Sequence, residues 1–267
     1  MSLRIGTRGS ALALAQAQWV ADQLPGSELV ILRTSGDEGA TGDKSRWVDT
    51  IERALVEGEI DLAVHSAKDV PGELAPGTEI VATPEREDAR DVLIGDRNGR
   101  IGTSSLRRRA QLAAEGFTNV VELRGNVDTR LRKLMEGEVD AIVLAAAGLK
   151  RLGRTETGES LTFVPAPGQG VLALQARAGE RRAAALNHEE TFACLAAERA
   201  AVRVLEADCH TPVGIHAAGG RMRGFVGRPD GSAWVSDEID SLDGAELGRR
   251  LLAAGAGEIL AAAEAYA

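Results

Sequence analysis

Three short segments of the chain combine hydroxyl side chains with arginines in the way an anion site requires. GTSSLRRRAQL (102–112) ends a strand-like run at Gly102, continues through Thr103, Ser104 and Ser105, and then carries Arg107, Arg108 and Arg109. Ser104 or Ser105 is suited to cap a helix whose first-turn N–H groups bind an anion. Arginines on that turn would add charge-assisted hydrogen bonds. Taken alone, the segment reads equally well as a capped surface helix with solvated arginines. RGNVDTR (124–130) places Arg124 at a strand end and Arg130 inside the following helix, and TRGS (7–10) does the same with Arg8 and Ser10. Strand C-termini of a parallel sheet collect at one edge, so Arg107, Arg108, Arg124 and Arg130 are expected to face one crevice.

HSAKDVP (65–71) also follows a strand and sets Lys68 beside Asp69. A carboxylate among cations is favoured in its charged form and is a candidate acid or charge stabiliser. The alternative is a turn aspartate capping toward Val70. His65 reads as a satisfied residue at the end of a buried strand. The four histidines show no zinc-ligand spacing and Cys194 and Cys209 lie 15 residues apart, so no metal is expected. LEADCHTPVG (205–214) puts Cys209 in a loop, where a thiol is either accessible and reactive or simply packed.

The elements that must position these groups alternate. LRIG (3–6), LVILRT (29–34), IDLAVHS (60–66), TEIVA (78–82) and DVLIG (91–95) read as short strands, with helical spacing at 10–24 and 46–58. A second set follows: RIGTS (100–104), a helix from Ser105 to Ala114, NVVELR (119–124), a helix at 127–136 and VDAIVLAAA (139–147). This rhythm predicts two α/β units with parallel sheets. Residues 155–170, rich in Gly, Pro and Thr, mark a crossing between domains, after which VLALQA (171–176) returns as a buried strand. A helix over 189–206, three antiparallel strands and an alanine-rich closing helix are expected beyond it.

The 267 residues suffice for two or three compact domains. The net charge of −9 argues against a general nucleic-acid binder. Yet all but four of the 31 basic residues are arginine, and residues 101–134 carry seven basic against three acidic side chains. Arginine is the residue suited to bidentate carboxylate capture. No apolar run is long enough to span a membrane. The first residues lack the pattern of a signal peptide and two cysteines make no disulfide framework, so the reducing cytoplasm is expected.

In this order, IGTRGSALALAQA, AVHSAKDVP, PEREDARDVL, IGTSSLRRRAQL, LRGNVDTRL, DAIVLAAAGLKRLG, PAPGQG, AAERA and LEADCHTPVG resemble the blocks of the hydroxymethylbilane synthase (porphobilinogen deaminase) family nearly end to end. The resemblance implies a fold similar to type II periplasmic binding proteins: two α/β domains around a cleft, plus a small C-terminal α+β domain. Residues 1–84 and 170–187 would form domain 1, 88–164 domain 2 and 189–267 domain 3. It also implies a transferase of haem and porphyrin biosynthesis, working as a monomer. Four porphobilinogen molecules are condensed head to tail with loss of ammonia, on a dipyrromethane cofactor attached by a thioether to Cys209. Each substrate becomes an electrophilic azafulvene that the growing chain attacks, and hydrolysis frees hydroxymethylbilane.

By the same resemblance Asp69 is the catalytic aspartate. Lys68, Thr103, Ser104, Ser105, Arg107, Arg108, Arg124 and Gln169 join Cys209 in holding the cofactor, and Arg8, Ser10, Arg130 and Lys44 bind substrate. Every pyrrole bears an acetate and a propionate, which gives the arginines a purpose. The chain departs from the family pattern at TGDKSRW (41–47), where a Gly-Gly-Lys-Gly-Leu-Phe-like loop is usual, and it is shortened at DRNGRI and within 153–163. A non-catalytic binder of small dicarboxylates is the competing function.

Overall fold

A computed structural model describes residues 2–32, 45–208 and 210–263, side chains of 45–47 excepted. Lys44, Cys209 and most of the atypical loop at 36–47 therefore lie outside the described residues. The chain divides into two compact units, residues 1–87 with 170–192, and residues 88–169 with 193–267.

The first unit runs β1 (Leu3–Arg8), α1 (Ala11–Gln23), β2 (Ser27–Leu32), α2 (Ser45–Val56), β3 (Leu62–Ser66) and β4 (Thr78–Ala82), and recovers β10 (Leu172–Arg177) from later in the chain. The sheet order is β2-β1-β3-β10-β4. β1 pairs parallel with β2 and β3, whereas β10 is antiparallel to both β3 and β4. The parallel sheet expected from the sequence is thus mixed. The physical reason is connectivity: a parallel neighbour needs a crossover from the preceding strand, and β10 instead follows residues 88–169, which belong to the other unit. Ile5, Leu62, Ala63 and Leu174 are fully buried, as strands covered on both faces must be.

The second unit contains β5 (Asp91–Gly95), β6 (Ile101–Gly102), α3 (Leu106–Ala114), β7 (Val120–Val121), α4 (Val127–Met135), β8 (Ala141–Ala145), α5 (Ala146–Arg151) and β9 (Glu159–Leu161). Their sheet order is β7-β6-β8-β5-β9, with β5 antiparallel to β8 and β9. The expected strand over 139–147 stops at Ala145, opposite Asp91, and the following alanines begin α5, as their helix preference favours. β9 falls in the stretch expected to be only a crossing. The unit continues with α6 (Glu189–Val204), β11 (Val213–Ala218), β12 (Arg221–Gly227), β13 (Trp234–Ile239), α7 (Gly244–Ala253) and α8 (Ala256–Ala263). β11, β12 and β13 form the expected antiparallel sheet. The single closing helix is two, parted at Gly255, whose φ of 103° is a left-handed conformation that glycine adopts freely. Because α3 packs on β11 and β12, residues 88–169 and 193–267 share one unit. Among the described residues, no helix is long and apolar enough to cross a membrane.

Candidate active site

In the first unit, β1 ends at Arg8 and β3 runs into a 3-10 turn, Ala67–Asp69. Arg8, Ser10, Gln16, His65, Ser66 and Asp69 line one open pocket of about 530 Å³, solvent at its mouth included. The structure therefore brings together Asp69, Arg8 and Ser10 as the sequence predicts. Ser10 is also the cap of α1, its hydroxyl accepting the Ala13 N–H at 3.3 Å. Lys68 is half-buried on the same turn and does not line the pocket. His65 is buried, and that burial, outweighing the Gln175 hydrogen bond and the Asp69 charge that oppose it, takes the imidazole down to about 4. The ring is consequently neutral at physiological pH.

In the second unit, the side chains of α3 divide by depth. Ser105 is the cap, accepting the Arg108 N–H at 3.4 Å, and the Thr103 hydroxyl accepts the Ser105 N–H at 3.2 Å. Arg107 and Arg108 are buried and converge on Asp91, the fully buried first residue of β5. Arg107 Nη2 lies 2.7 Å from Asp91 Oδ2, while Arg108 Nη2 and Nε donate to Oδ1 at 2.8 and 3.1 Å. Gln169 Nε2 donates to the same Oδ1 at 3.0 Å and to the Ala89 carbonyl at 2.7 Å. Burial alone would push the Asp91 carboxyl up; the two guanidiniums overcome it and hold it well below the usual carboxylate range. The remaining donors are spent on backbone: Arg107 Nη1 on the Val164 carbonyl and Arg108 Nη1 on the Val143 carbonyl, both at 2.9 Å.

The expectation that Arg107, Arg108, Arg124 and Arg130 face one crevice is therefore modified. Arg107 and Arg108 lie inside, where the Asp91 carboxylate on the adjoining strand end offsets the large cost of desolvating them. Arg124 is exposed and paired with Glu122. Arg130 is the one that meets a predicted hydroxyl: its Nη2 donates to Ser104 Oγ at 3.1 Å and its Nε to the Gly125 carbonyl at 2.8 Å. Among the described residues, no carboxylate pairs with Arg130. Burial first, then the nearby charge of Arg108, takes its guanidinium down to about 10. One Asp91 against Arg107, Arg108 and Arg130 leaves this region with surplus positive charge beside the start of α3. Such a site can take a ligand carboxylate.

That surplus makes a prediction. Arg130→Met should leave the thermal midpoint unchanged or higher, since a strained cation is removed. It should also weaken capture of a carboxylate-bearing ligand by about 10- to 100-fold, the loss of a charge-assisted bond worth ~1.5–3 kcal/mol. A destabilised variant with normal ligand capture would show that Arg130 serves the fold alone.

Two fully buried acids, Asp91 and Glu198, were not singled out from sequence. Asp91 opens an apolar strand, which is a signal in retrospect, but its partners lie on another element. Glu198, in the AAERA block of α6, is fully buried. Its Oε2 accepts the Gly168 N–H at 2.6 Å and its Oε1 the Ala217 N–H at 2.8 Å. It thereby ties the PAPGQG loop to β11. The same loop is held from α3, where Gln111 accepts the Val164 N–H and donates back to the Val164 carbonyl. Gly214 closes the assembly: a Cβ there would stand 2.6 Å from the Val164 carbonyl oxygen, so the strand after the cysteine loop needs glycine to approach. Among the described residues, no group of three His, Cys, Asp or Glu side chains could hold a metal ion.

Comparison with known proteins agrees with the sequence blocks. Residues 3–185 match the family model described as "Porphobilinogen deaminase, dipyromethane cofactor binding domain", and residues 192–254 match "Porphobilinogen deaminase, C-terminal domain". The chain is 44% identical over 297 aligned positions to the porphobilinogen deaminase of Trichlorobacter lovleyi, covering 97% of this chain and 95% of that protein. It is 45% identical to that of Thiobacillus denitrificans, covering 97% and 98%, and 44% identical to that of Thermus thermophilus, covering 96% and 97%. The first alignment is longer than the 267-residue chain, so the relative carries residues that this chain lacks. Among solved structures, a periplasmic substrate-binding protein of an ABC transporter from Coxiella burnetii is similar at 14% identity and a TM-score of 0.42, covering 69% of this chain and 89% of that one. Two family models spanning most of the chain, and relatives above 40% identity along its length, place this protein in the porphobilinogen deaminase family.

Proposed function

We propose that this chain joins four porphobilinogen molecules head to tail into hydroxymethylbilane with release of ammonia, using a dipyrromethane carried as a thioether on Cys209. The observation that carries this reading is the surplus of buried positive charge around Arg130, Ser104 and the capped start of α3. A dipyrromethane bearing acetate and propionate groups fits that donor set, since each carboxylate finds hydroxyl, N–H and guanidinium donors together. When bound, the group supplies a nucleophilic pyrrole carbon to which substrate units are added. Ser104, Ser105, Thr103 and Arg130 would hold its carboxylates. Arg107, Arg108 and Gln169 would act from behind, as a fixed positive cluster whose geometry Asp91 sets. Lys68, Arg124 and Lys44 remain proposed anion contacts on their resemblance to family positions.

In the first unit, Arg8 and Ser10 would bind substrate carboxylate. Asp69, in the same pocket, would accept a pyrrole N–H and stabilise positive charge on the substrate as ammonia leaves. A neutral His65 beside it adds no competing cation. Residues 189–267 are proposed as a third domain that presents Cys209. The reducing cytoplasm suits a chain with two cysteines, and we place the enzyme there as a monomer.

An intact mass measured on the denatured holoprotein tests the cofactor. Protein made with its cofactor should exceed the 28.0 kDa polypeptide by one dipyrromethane, and Cys209→Ala should remove the excess together with turnover. A bare polypeptide mass that nevertheless binds small dicarboxylates would favour the non-catalytic binder.

A further inference from the structure

His65 Nε2 and Gln175 Oε1 are buried polar atoms with no other well-formed partner, and the Gln175 side chain is the hydrogen-bonding group that bears on the His65 ring. They are neighbours. In the antiparallel pairing of β3 with β10, His65 stands opposite Ala173 and Ala63 opposite Gln175. His65 and Gln175 are therefore diagonal on one face of the sheet, within reach of long side chains. That face lies under α2, whose Ile51, Ala54 and Leu55 cluster with Ala63.

The orientation of the Gln175 amide is determined by its surroundings. Its Nε2 donates to Glu52 Oε1 at 2.6 Å and to Thr78 Oγ1 at 2.8 Å. Thr78 spends its own proton on the Ala75 carbonyl at 2.7 Å, so its oxygen can only accept from Gln175. Glu52 Oε1 also accepts the Ala75 N–H at 3.1 Å. The NH2 end of Gln175 must face these acceptors, which leaves its carbonyl oxygen to seek a donor. His65 is the buried neighbour with a ring nitrogen to satisfy.

We propose that Glu52 and Gln175 are positioning residues that lock His65 as its Nε2–H tautomer, donating to Gln175 Oε1 directly or through one water and leaving Nδ1 as a lone-pair acceptor beside Asp69. Burial keeps the ring uncharged, as the lowered imidazole shows. Asp69 is the charge that bears on it, while Arg8 lines the same pocket and Glu52 holds the Gln175 amide. The benefit follows from the chemistry proposed for the pocket. A protonated ring would oppose positive charge developing on the substrate, and the other neutral tautomer would present an N–H where an acceptor is useful. This inference rests on the proposed reaction only for its kinetic part.

Nitrogen NMR of the full-length holoprotein labelled at histidine reads the tautomer directly. The wild-type chain should show His65 as one neutral tautomer protonated on Nε2. Glu52→Gln lets the amide of Gln175 turn over and should give a mixture, with kcat reduced about tenfold, the equivalent of one lost hydrogen bond, and KM changed less than about twofold. Gln175→Met removes the acceptor while keeping β10 apolar, and should mix the tautomers even if Glu52→Gln fails to fold. A wild-type His65 protonated on Nδ1, or a tautomer unchanged in either variant, overturns the relay. An inactive wild-type protein with the expected tautomer would instead count against the proposed reaction and leave the relay standing.

Discussion

Asp69→Ala abolishes hydroxymethylbilane release, with kcat lower by at least about 10²- to 10³-fold, while the fold persists. The magnitude is that expected when a preorganised group facing developing charge is removed. The environment explains why no neighbour substitutes for it. The pocket holds Arg8, which repels positive charge, and a His65 kept neutral by burial. Asp69 is thus the anionic side chain lining that pocket among the described residues. It sits on a short 3-10 turn at the surface end of β3, so truncation should cost little stability. Porphobilinogen consumption and tetrapyrrole release measure the loss, and circular dichroism verifies the fold. Turnover within a few-fold of wild type would remove Asp69 from the mechanism.

Asp91→Asn lowers the stability of the second unit by about 3–5 kcal/mol, the cost of leaving buried cations without their counter-ion. Asn keeps the shape and can still accept from Arg108, so the loss isolates the charge. The effect should depend on pH in a definite direction. The folded chain holds the Asp91 carboxyl below its ordinary value, with burial opposing and Arg107 and Arg108 prevailing. Its contribution is therefore complete above the unfolded carboxyl value, near 4, and is lost progressively as pH falls below that. Wild type and variant should differ most at neutral pH and converge in acid. Urea unfolding followed by hydrogen exchange in β5 and β8 resolves this unit from the first. A difference below about 1 kcal/mol at neutral pH would mean that the cluster is compensated elsewhere.

Local chemistry is legible in the sequence at the start of α3, where Ser105 is the cap as expected. Ser10 and Asn126 cap α1 and α4 in the same way, each side chain accepting the N–H three residues further on. The sequence of TSSLRRR told where an anion could bind, but not which arginine would be free to bind it. That depends on Asp91, which stands at the start of β5, paired with β8, and meets Arg107 and Arg108 of α3 from there. The strand direction of β10 was hidden for the same reason, since periodicity reports burial and not the route by which a strand arrives.

The family blocks and the cap at the start of α3 could be read from the sequence alone, and Asp69 and Cys209 are singled out there, because each is a matter of residue type in local order. Tertiary structure decided the rest. It withdrew Arg107 and Arg108 into a buried ion cluster, left Arg130 beside Ser104 as the strained cation, and set Gln175 against His65. These are contacts between elements distant in the chain. Their energies come from desolvation and charge at short range, which no spacing along a single strand can specify.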